Sequence, residues 1–552
     1  MKSSFILLAS AALLTSTSAT AVPSDFAAKA DAVVAEAWPA DGPGAAIIVT
    51  EGGRPVYERG RGLADLESRR PITPDTVFRL GSITKQFSAA IMLQLVAEGK
   101  VSLDDPLSKY FPDYPQPGAS ATIAQLLNHT VGVQSYTDIP GWMVEEKTNR
   151  ALTTEQLIAE FRDLPSPSKP GEKWAYNNSG YVLVGAVIEK VTGKPWHEVV
   201  GERIARPLGL ATIRYGVLES ETEKMARGYT LKDDKAAPAL MIHMSVPHAA
   251  GALIGSVEDL AKWNAALHGG KVIPPTLHAK MIAPTDLPGG ETNPYGFGIS
   301  NRDMRGRAAI GHGGGIFGFS TDSIYIPRDD VFVAVFTNSD YARPDPGMVM
   351  LKLAALAVGD PFPTFEKAAV DPATLAPWYG VYAVEDGERR FFARDGKLYT
   401  QRSGGSELEA FAAGNNRFFY DKSLTWFEIS RDDKGMPVIA MYHQGSTKAE
   451  ISKRTGDIPP EAKAAEVARE TLQTYVGDYS LGGGTAVVLL ADDGLTVKVG
   501  SQPTLRLIPR SDTEFAVEKV DAKVVFNAAP EGPAKSMTLH QGGQTMEAPR
   551  AK

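Results

Sequence analysis

The C-terminal third of the chain carries an internal repeat, and this repeat restricts the possible folds more than any other feature. Residues 378–382 (WYGVY) resemble residues 475–479 (YVGDY), and each segment is followed, 61 residues after its last tyrosine, by His-Gln-Gly. Between these marks lie short alternating segments broken by glycine or Asp-Gly, which is typical of short antiparallel strands. We predict two small antiparallel β-barrels, over residues 373–455 and 471–552. One irregular β-domain with chance similarity is the alternative.

Length and composition restrict the class of protein. The chain has 552 residues, which is too long for a single hydrophobic core, so we expect two to four domains. The net charge of −8 argues against nucleic acid or an anionic membrane as the main partner. The sequence has no cysteine, which excludes disulfides and thiolate catalysis.

Residues 1–21 are typical of a secretory signal peptide. Lys2 supplies the positive start, residues 5–14 form a mainly apolar core, and residues 19–21 (Ala-Thr-Ala) fit a small-residue cleavage site. A short membrane anchor is the alternative, but the apolar core is too short to span a bilayer, and no later run is long enough. We therefore expect a mature chain that begins near Val22 and works in the periplasm or outside the cell.

Residues 22–362 are predicted to form one α+β domain, in which an antiparallel sheet is flanked by helices and accompanied by an all-helical subdomain. An opening helix, a strand hairpin and then a buried helix favour this mixed class. The predicted helices include residues 24–37, 121–129 and a segment that ends near 192, and the predicted strands include residues 44–50, 55–61, 295–299, 320–326 and 331–337.

Ser82 and Lys85 stand at the start of the buried helix that ends near Gly99. Positions three apart share one helix face, so the hydroxyl and the amine can meet. A serine hydroxyl needs a base to become a nucleophile, and a buried lysine with a lowered pKa can supply one. The alternative is a capped, solvated helix start, which is how most Ser-x-x-Lys segments occur.

Tyr176 and Asn178 lie where a proline-rich loop, residues 164–171, gives way to an apolar helix. A phenol beside a serine–lysine pair can shuttle a proton if nearby positive charge, such as that of Lys85, lowers its pKa from about 10. Asn178 can orient Lys85 or hold a substrate carbonyl. The alternative is a packed tyrosine followed by a capping asparagine.

His312 is surrounded by glycines, including Gly314 and Gly315. Glycines allow a substrate backbone to approach a strand edge closely, and a backbone N–H there, with that of Ser82, can form an oxyanion hole. A glycine-rich turn with a surface histidine is the alternative.

No metal site is predicted. The other histidines do not pair at ligand spacing with carboxylates, except for a weak pairing of His243 with His248, and a structural role for them is favoured. We likewise interpret Ser256 and Asp259 as a helix cap. The sequence predicts no cofactor.

Ser-x-x-Lys, Tyr-x-Asn and His-x-Gly, in that order, resemble the signature of the serine β-lactamase and penicillin-binding-protein superfamily, in particular its class C-like branch. The resemblance covers about residues 25–358 and includes two flanking stretches, residues 101–107 and 125–130. The branch includes D-aminopeptidases, DD-peptidases, esterases and linear-peptide hydrolases. The two predicted barrels resemble those of bacterial D-aminopeptidases.

The resemblance implies a role for each residue of the three motifs. Ser82 would be the acylated nucleophile, activated by Lys85 and Tyr176, and Tyr176 would protonate the leaving amine and later activate water. Asn178 would position the substrate. The third motif would comprise His312 and Gly314, and the N–H groups of Gly315 and Ser82 would form the oxyanion hole. The implied reaction is acyl transfer to water without a metal.

The third motif departs from the pattern of β-lactamases and carboxypeptidases, which usually have lysine where this chain has His312. A permanent cation suits a substrate carboxylate, whereas a histidine is mostly neutral at pH 7. The departure weighs against a dedicated β-lactamase or carboxypeptidase and favours an aminopeptidase, a linear-peptide hydrolase or an esterase. The first hypothesis is a hydrolase of peptide amide bonds, including those of D-residue-containing or linearised non-ribosomal peptides. A carboxylesterase, or a penicillin-binding or β-lactamase-like enzyme on the same site, is the alternative, and a non-catalytic wall-binding protein with a relic site is a third hypothesis.

Overall fold

The structure is a computed structural model, which describes residues 22–216, 223–341, 345–460, 462–481, 484–500, 502–528 and 532–551. The predicted signal peptide, residues 1–21, lies outside the described residues.

The first domain is built on a seven-stranded antiparallel sheet. Its strands are, in spatial order, Ser300–Met304, Arg307–Gly311, Phe319–Ile326, Val331–Thr337, Ala45–Glu51 and Arg54–Arg61, and Gly314–Ile316 pairs separately with Phe319–Ile326.

The strands Ala45–Glu51 and Val331–Thr337 are mainly apolar because both faces of the sheet are covered. Ile47 and Val49 point to a core shared with the Phe26–Ala37 and Pro346–Ala357 helices. Ile48 belongs to the core on the opposite face. Alternate residues of a strand point to opposite faces, so this strand shows no polar alternation in its sequence.

The region between the two halves of the sheet is mainly helical and holds most of the opposite core. Its α-helices are Thr84–Ala97, Ile123–Leu127, Glu145–Thr148, Thr154–Ala159, Asn178–Thr192, Trp196–Val200, Arg206–Leu208, His248–Gly251, Val257–His268 and Pro275–Ile282. The same region contains short strands, at Leu63–Asp65, Arg70–Pro71, Phe78–Arg79, Arg214–Tyr215, Tyr229–Lys232, Lys235–Pro238, Leu253–Gly255, Thr285–Asp286 and Thr292–Asn293. The predicted α+β class is confirmed.

Two predicted elements of this domain differ from the structure. The predicted strand at residues 295–299 is wrong, because Tyr295 forms only an isolated bridge with Ser300 and the regular strand begins at Ser300. Gly298 turns the chain there with a φ of +70°, so close to the backbone of Lys85 that a Cβ would lie 2.7 Å from its carbonyl oxygen. The helix predicted over 121–129 is shorter, since Thr122 caps Ile123–Leu127.

The C-terminal region forms two eight-stranded antiparallel barrel-like units, as the repeat predicted. The first is a closed barrel with strands Gly380–Val384, Gly387–Arg394, Lys397–Arg402, Leu408–Ala412, Arg417–Tyr420, Trp426–Arg431, Pro437–Tyr442 and Glu450–Gly456. The second has strands Gly477–Leu481, Gly484–Ala491, Gly494–Val499, Leu505–Pro509, Glu514–Val517, Ala522–Asn527, Ser536–Gln541 and Gln544–Pro549.

The repeat residues occupy equivalent positions in the two units. Tyr382 and Tyr479 are both buried, and each hydroxyl donates a hydrogen bond to the carbonyl four residues earlier, at Trp378 and Tyr475. In each unit the repeat therefore provides a buried tyrosine whose hydroxyl links the first strand to the end of the helical segment before it.

The first barrel contacts the first domain through Arg305, in the turn between the strands Ser300–Met304 and Arg307–Gly311. The Arg305 guanidinium donates to the carbonyl of Gly445 (3.0 Å) and to Asp360 (2.8 Å), and it lies 5.1 Å from the ring centroid of Phe362. None of the helices within the described residues is long and apolar enough for a bilayer crossing.

Candidate active site

Ser82 lies in a single 3₁₀ turn, Gly81–Ile83, that leads directly into the buried helix Thr84–Ala97. The turn depends on Gly81, which has a φ of +52°, a value that costs any residue with a Cβ about 1–2 kcal/mol. A Cβ on Gly81 would also lie 3.1 Å from the backbone nitrogen of Gly315. The turn therefore places Ser82 beside the glycine-rich strand edge.

Lys85 is fully buried one helical turn beyond Ser82. Its Nζ lies 3.1 Å from Ser82 Oγ, 2.8 Å from Asn178 Oδ1 and 2.9 Å from the carbonyl oxygen of Ala250. Burial lowers the pKa of Lys85 well below the usual value for lysine. A neutral amine has two N–H donors for the two carbonyl oxygens and a lone pair for the serine hydroxyl. This arrangement suits a base that takes the proton of Ser82.

The phenol of Tyr176 lies near the side chain of Ser82, and Lys85 Nζ lies 4.7 Å from the centroid of its ring. Burial raises the pKa of Tyr176, and the Ser82 side chain opposes this with a smaller effect. A phenolate base would need the opposite shift. The structure therefore favours Lys85 as the group that accepts a proton and Tyr176 as the group that donates one.

Asn178 is the first residue of the Asn178–Thr192 helix and fixes the orientation of Lys85. Its Oδ1 accepts from Lys85, and its Nδ2 donates to Thr137 Oγ1 at 3.1 Å, which determines the orientation of the amide. The helix cap is the preceding residue, Asn177, whose Oδ1 accepts from Gly180 N. Asn178 is thus free of the capping role and lines the candidate substrate cavity.

His312 is buried and its side chain does not line that cavity. Its Nδ1 donates to the carbonyl of Gly313, so Nε2 accepts the hydroxyl of Tyr295 at 2.8 Å. Burial, with the charge of Lys85 as the second cause, lowers the pKa of His312 to about 3. The imidazole is therefore neutral and supplies no cation for a substrate carboxylate.

The glycines after His312 lie directly against the Ser82 turn. A Cβ on Gly314 would lie 2.0 Å from the carbonyl oxygen of Leu80, so only glycine allows this approach. A Cβ on Gly315 would meet nothing within 4 Å, because this residue faces the cavity. Ser82 and Gly315 thus border the same space, as an oxyanion hole requires.

The cavity beside Ser82 has a volume of about 380 Å³ and is mainly apolar. Its lining residues are Gly81, Ser82, Tyr136, Thr137, Met143, Asn178, Ile242, Pro247, Ala250, Gly251, Gly315, Ile316, Phe317, Phe319, Ser320 and Asp340. Among these described residues Asp340 is the only acidic one, and neither lysine nor arginine is present. All of them precede the barrels, so no described barrel residue lines the cavity.

Comparison with known proteins identifies the family. The family model described as Beta-lactamase matches residues 30–357, which is more than half of the chain. The chain belongs to the beta-lactamase family.

The similarity to individual relatives extends beyond the first domain to the barrels. Penicillin-binding protein 4* of Bacillus subtilis is 26% identical over 431 residues, covering 73% of this chain and 94% of that protein. A D-aminopeptidase of Brucella anthropi is 22% identical over 513 residues, covering 90% and 93%. The octameric penicillin-binding protein homologue from Pyrococcus abyssi matches 77% of this chain and 99% of its own, with 26% identity and a TM-score of 0.55. The chain is a hydrolytic enzyme with the beta-lactamase fold.

No candidate metal site is found among the residues that the structure describes. Within the described residues no three or more of His, Cys, Asp and Glu side chains are placed to hold a metal ion. His243 and His248 do not share a site, because His243 hydrogen-bonds Ser245 and His248 lies against Thr154 and Glu189.

Several residues that contact the site were not singled out from the sequence. Thr137 orients Asn178, Tyr295 binds His312, and Asp340 lines the cavity. His129, whose ring centroid lies 4.3 Å from that of Tyr176, also contacts the site, and it alone of these four carried a signal because it lies in a stretch that resembles the family pattern. The others sit in loops without periodicity, and only long-range packing brings them to the site.

Proposed function

We propose that this protein is an exported serine hydrolase that cleaves peptide amide bonds through an acyl-enzyme on Ser82. The observation that carries the proposal is the convergence of Ser82, Lys85, Tyr176 and Asn178 beside a mainly apolar cavity that Gly315 also lines. This is the geometry of an activated nucleophile, a proton donor and an oxyanion site.

The reaction follows from these positions. Ser82 Oγ bonds to the substrate carbonyl carbon while its proton passes to Lys85 Nζ, and the N–H groups of Ser82 and Gly315 stabilise the oxyanion. The C–N bond then breaks as the leaving amine takes the proton of Tyr176, which is restored from Lys85. A water molecule next bonds to the ester carbonyl carbon as its proton passes to Lys85 Nζ. The bond from that carbon to Ser82 Oγ then breaks, and Oγ takes the proton back as the acid leaves.

The charge of the cavity favours a substrate with a free amino group. Asp340 provides a carboxylate, the imidazole of His312 is neutral and buried, and the described lining offers no cation. A carboxylate-bearing substrate would find no partner there, whereas an ammonium would. With the likeness to a D-aminopeptidase over 90% of the chain, this supports short peptides with a free N-terminus, including D-residue-containing and linearised non-ribosomal peptides.

Three substrates test this proposal. D-alanine p-nitroanilide carries the ammonium and the amide, propionyl p-nitroanilide lacks only the ammonium, and p-nitrophenyl butyrate is a neutral ester. We expect D-alanine p-nitroanilide to have a higher kcat/KM than propionyl p-nitroanilide. Asp340→Asn should remove at least half of that preference. Hydrolysis of the ester alone would contradict the peptidase and support a carboxylesterase.

Export is a separate part of the proposal. Residues 1–21 have the charge, apolar core and small-residue end of a signal peptide. Expression of the full chain in a Gram-negative host, followed by N-terminal sequencing of the periplasmic protein, should yield a chain that begins near Val22. An intact Met1 on protein retained in the cytoplasm would contradict export.

A further inference from the structure

His129 holds the backbone on both sides of Tyr176. Its carbonyl oxygen accepts the N–H of Ala175 at 3.0 Å, and its ring Nδ1 accepts the N–H of Asn177, also at 3.0 Å. The two residues held are the immediate neighbours of Tyr176. One residue, 48 positions away from Asn177 in the chain, therefore fixes the short segment that presents the phenol to Ser82.

The ring of His129 also packs against the phenol ring itself. The two ring centroids are 4.3 Å apart, and the ring of Tyr295 lies 4.6 Å from His129 on another side. His129 is almost completely buried and lines no part of the substrate cavity. Its contacts with the site thus pass through Tyr176 and the residues beside it.

The backbone and protonation state of His129 are both specialised for this position. Its φ is +67°, in the left-handed region that few residues other than glycine, asparagine, aspartate and histidine adopt. Because Nδ1 accepts a backbone N–H, the ring is neutral with its proton on Nε2. Burial lowers the pKa of His129 well below its usual value, and the charge of Lys85 acts in the same direction. The ring therefore serves as a hydrogen-bond acceptor and not as an acid.

We propose that His129 is a positioning residue, which sets the Tyr176 phenol on Ser82 by clamping Ala175 and Asn177. The proposal rests on the function proposed for Ser82 and Tyr176. It requires three properties at one position: tolerance of a positive φ, an acceptor at the site of Nδ1, and a flat side chain against the phenol.

Two substitutions separate these properties. His129→Asn tolerates the positive φ and carries an acceptor, Oδ1, at nearly the place of Nδ1. His129→Ala removes the acceptor and the ring. We expect His129→Ala to lower kcat by about 10²-fold with KM changed less than about threefold, since the cavity lining is untouched. His129→Asn should retain kcat within about tenfold of the wild type.

A double-mutant cycle distinguishes positioning from a general structural role. If His129 acts through Tyr176, the double variant His129→Ala/Tyr176→Phe should be no slower than Tyr176→Phe alone. The proposal would be overturned if the kcat losses of the two single variants multiplied in the double variant. It would also be overturned if His129→Asn and His129→Ala lost kcat equally. Thermal unfolding of each variant checks that the fold persists, and if His129→Ala does not fold, the cycle is run with His129→Gly, which tolerates the positive φ and also lacks the acceptor and the ring.

The cycle is measured on propionyl p-nitroanilide, whose leaving amine must take a proton but which carries no ammonium. The rate at which a fluorophosphonate labels Ser82 is the control, since its leaving fluoride needs no proton from Tyr176. Failure to cleave D-alanine p-nitroanilide would therefore count against the proposed function and leave the result of the cycle intact. A wild-type Ser82 that reacts with neither probe would overturn both proposals.

Discussion

Lys85 has no charged partner among its described contacts, although it is a fully buried lysine. Its Nζ contacts two carbonyl-type oxygens and the Ser82 hydroxyl, together with the faces of the Tyr176 and Tyr181 rings. Burial of an unpaired ammonium is very costly, so folding lowers the pKa of Lys85 well below its usual value and favours the neutral amine. Burial in the fold thus favours the neutral amine that is needed to accept the proton of Ser82.

A pH-dependent contribution to stability follows from this. The folded-state pKa of Lys85 is depressed, so between that value and about 10.4 the unfolded chain binds one more proton than the folded chain, and the free energy of unfolding rises with pH. Compared with Lys85→Met, the wild type should show a free energy of unfolding that rises more steeply with pH as the pH approaches about 10.4 from below, by up to about 1.4 kcal/mol per pH unit. Urea unfolding of both proteins measures the difference.

Lys100→Met is the control for this experiment, because Lys100 is exposed just after the same helix. Its unfolding free energy should run parallel to that of the wild type over the same pH range. Parallel curves for Lys85→Met as well would mean that Lys85 stays protonated in the fold, and would remove it as the base.

Tyr176 and Tyr295 provide a matched pair of hydroxyl deletions. Tyr176→Phe keeps the ring contacts and removes the hydroxyl that lies near Ser82, so kcat should fall by about 10²–10⁴-fold. Tyr295→Phe removes a hydroxyl that donates to His312, so it should cost about 1–3 kcal/mol of stability with kcat within about tenfold of the wild type. Steady-state kinetics and thermal unfolding check both, and equal kcat losses would contradict the assignment.

At the scale of elements, the 3₁₀ turn Gly81–Ile83 connects the helix to the glycine-rich edge. Gly81→Ala and Gly52→Ala should each lose about 1–2 kcal/mol, since both glycines have a positive φ. Only at Gly81 would the Cβ meet a neighbour, the backbone of Gly315, whereas at Gly52 it would meet nothing within 4 Å. Gly81→Ala should therefore also lower kcat by about tenfold or more. Comparable kcat values in the two variants would contradict this role of the turn.

Local sequence patterns predicted those parts of the fold and site that depend on local geometry. The pairing of Ser82 with Lys85 could be predicted because helix periodicity alone brings them together. The true conformation of residues 295–299, which is not a strand, could not be predicted. It is decided by the packing of Gly298 on Lys85, far away in sequence. The orientation of His312 toward Tyr295 has the same origin. Long-range contacts leave no periodic signal.

At the scale of the whole molecule, the barrels and the cavity are separate. Arg305 joins the sheet of the first domain to the carbonyl of Gly445 in the first barrel, while the cavity is lined from residues 81–340. Arg305→Ala should lower the free energy of unfolding by about 1.5–3 kcal/mol, through loss of charge-assisted hydrogen bonds, and leave kcat unchanged. Arg328→Ala, at an exposed hairpin turn, is the control. A large fall in kcat would show that the barrel attachment shapes the site.

The measurement that tests the account most directly is the mass of the enzyme during turnover. Quenching the enzyme in acid with excess D-alanine p-nitroanilide or p-nitrophenyl butyrate, followed by peptide mass spectrometry, should find the acyl group on the peptide that contains Ser82. Accumulation of the adduct is improved in Tyr176→Phe if deacylation is the slower step. Ser82→Ala should show no adduct and no turnover, with an unchanged fold. Full turnover in Ser82→Ala would contradict the account.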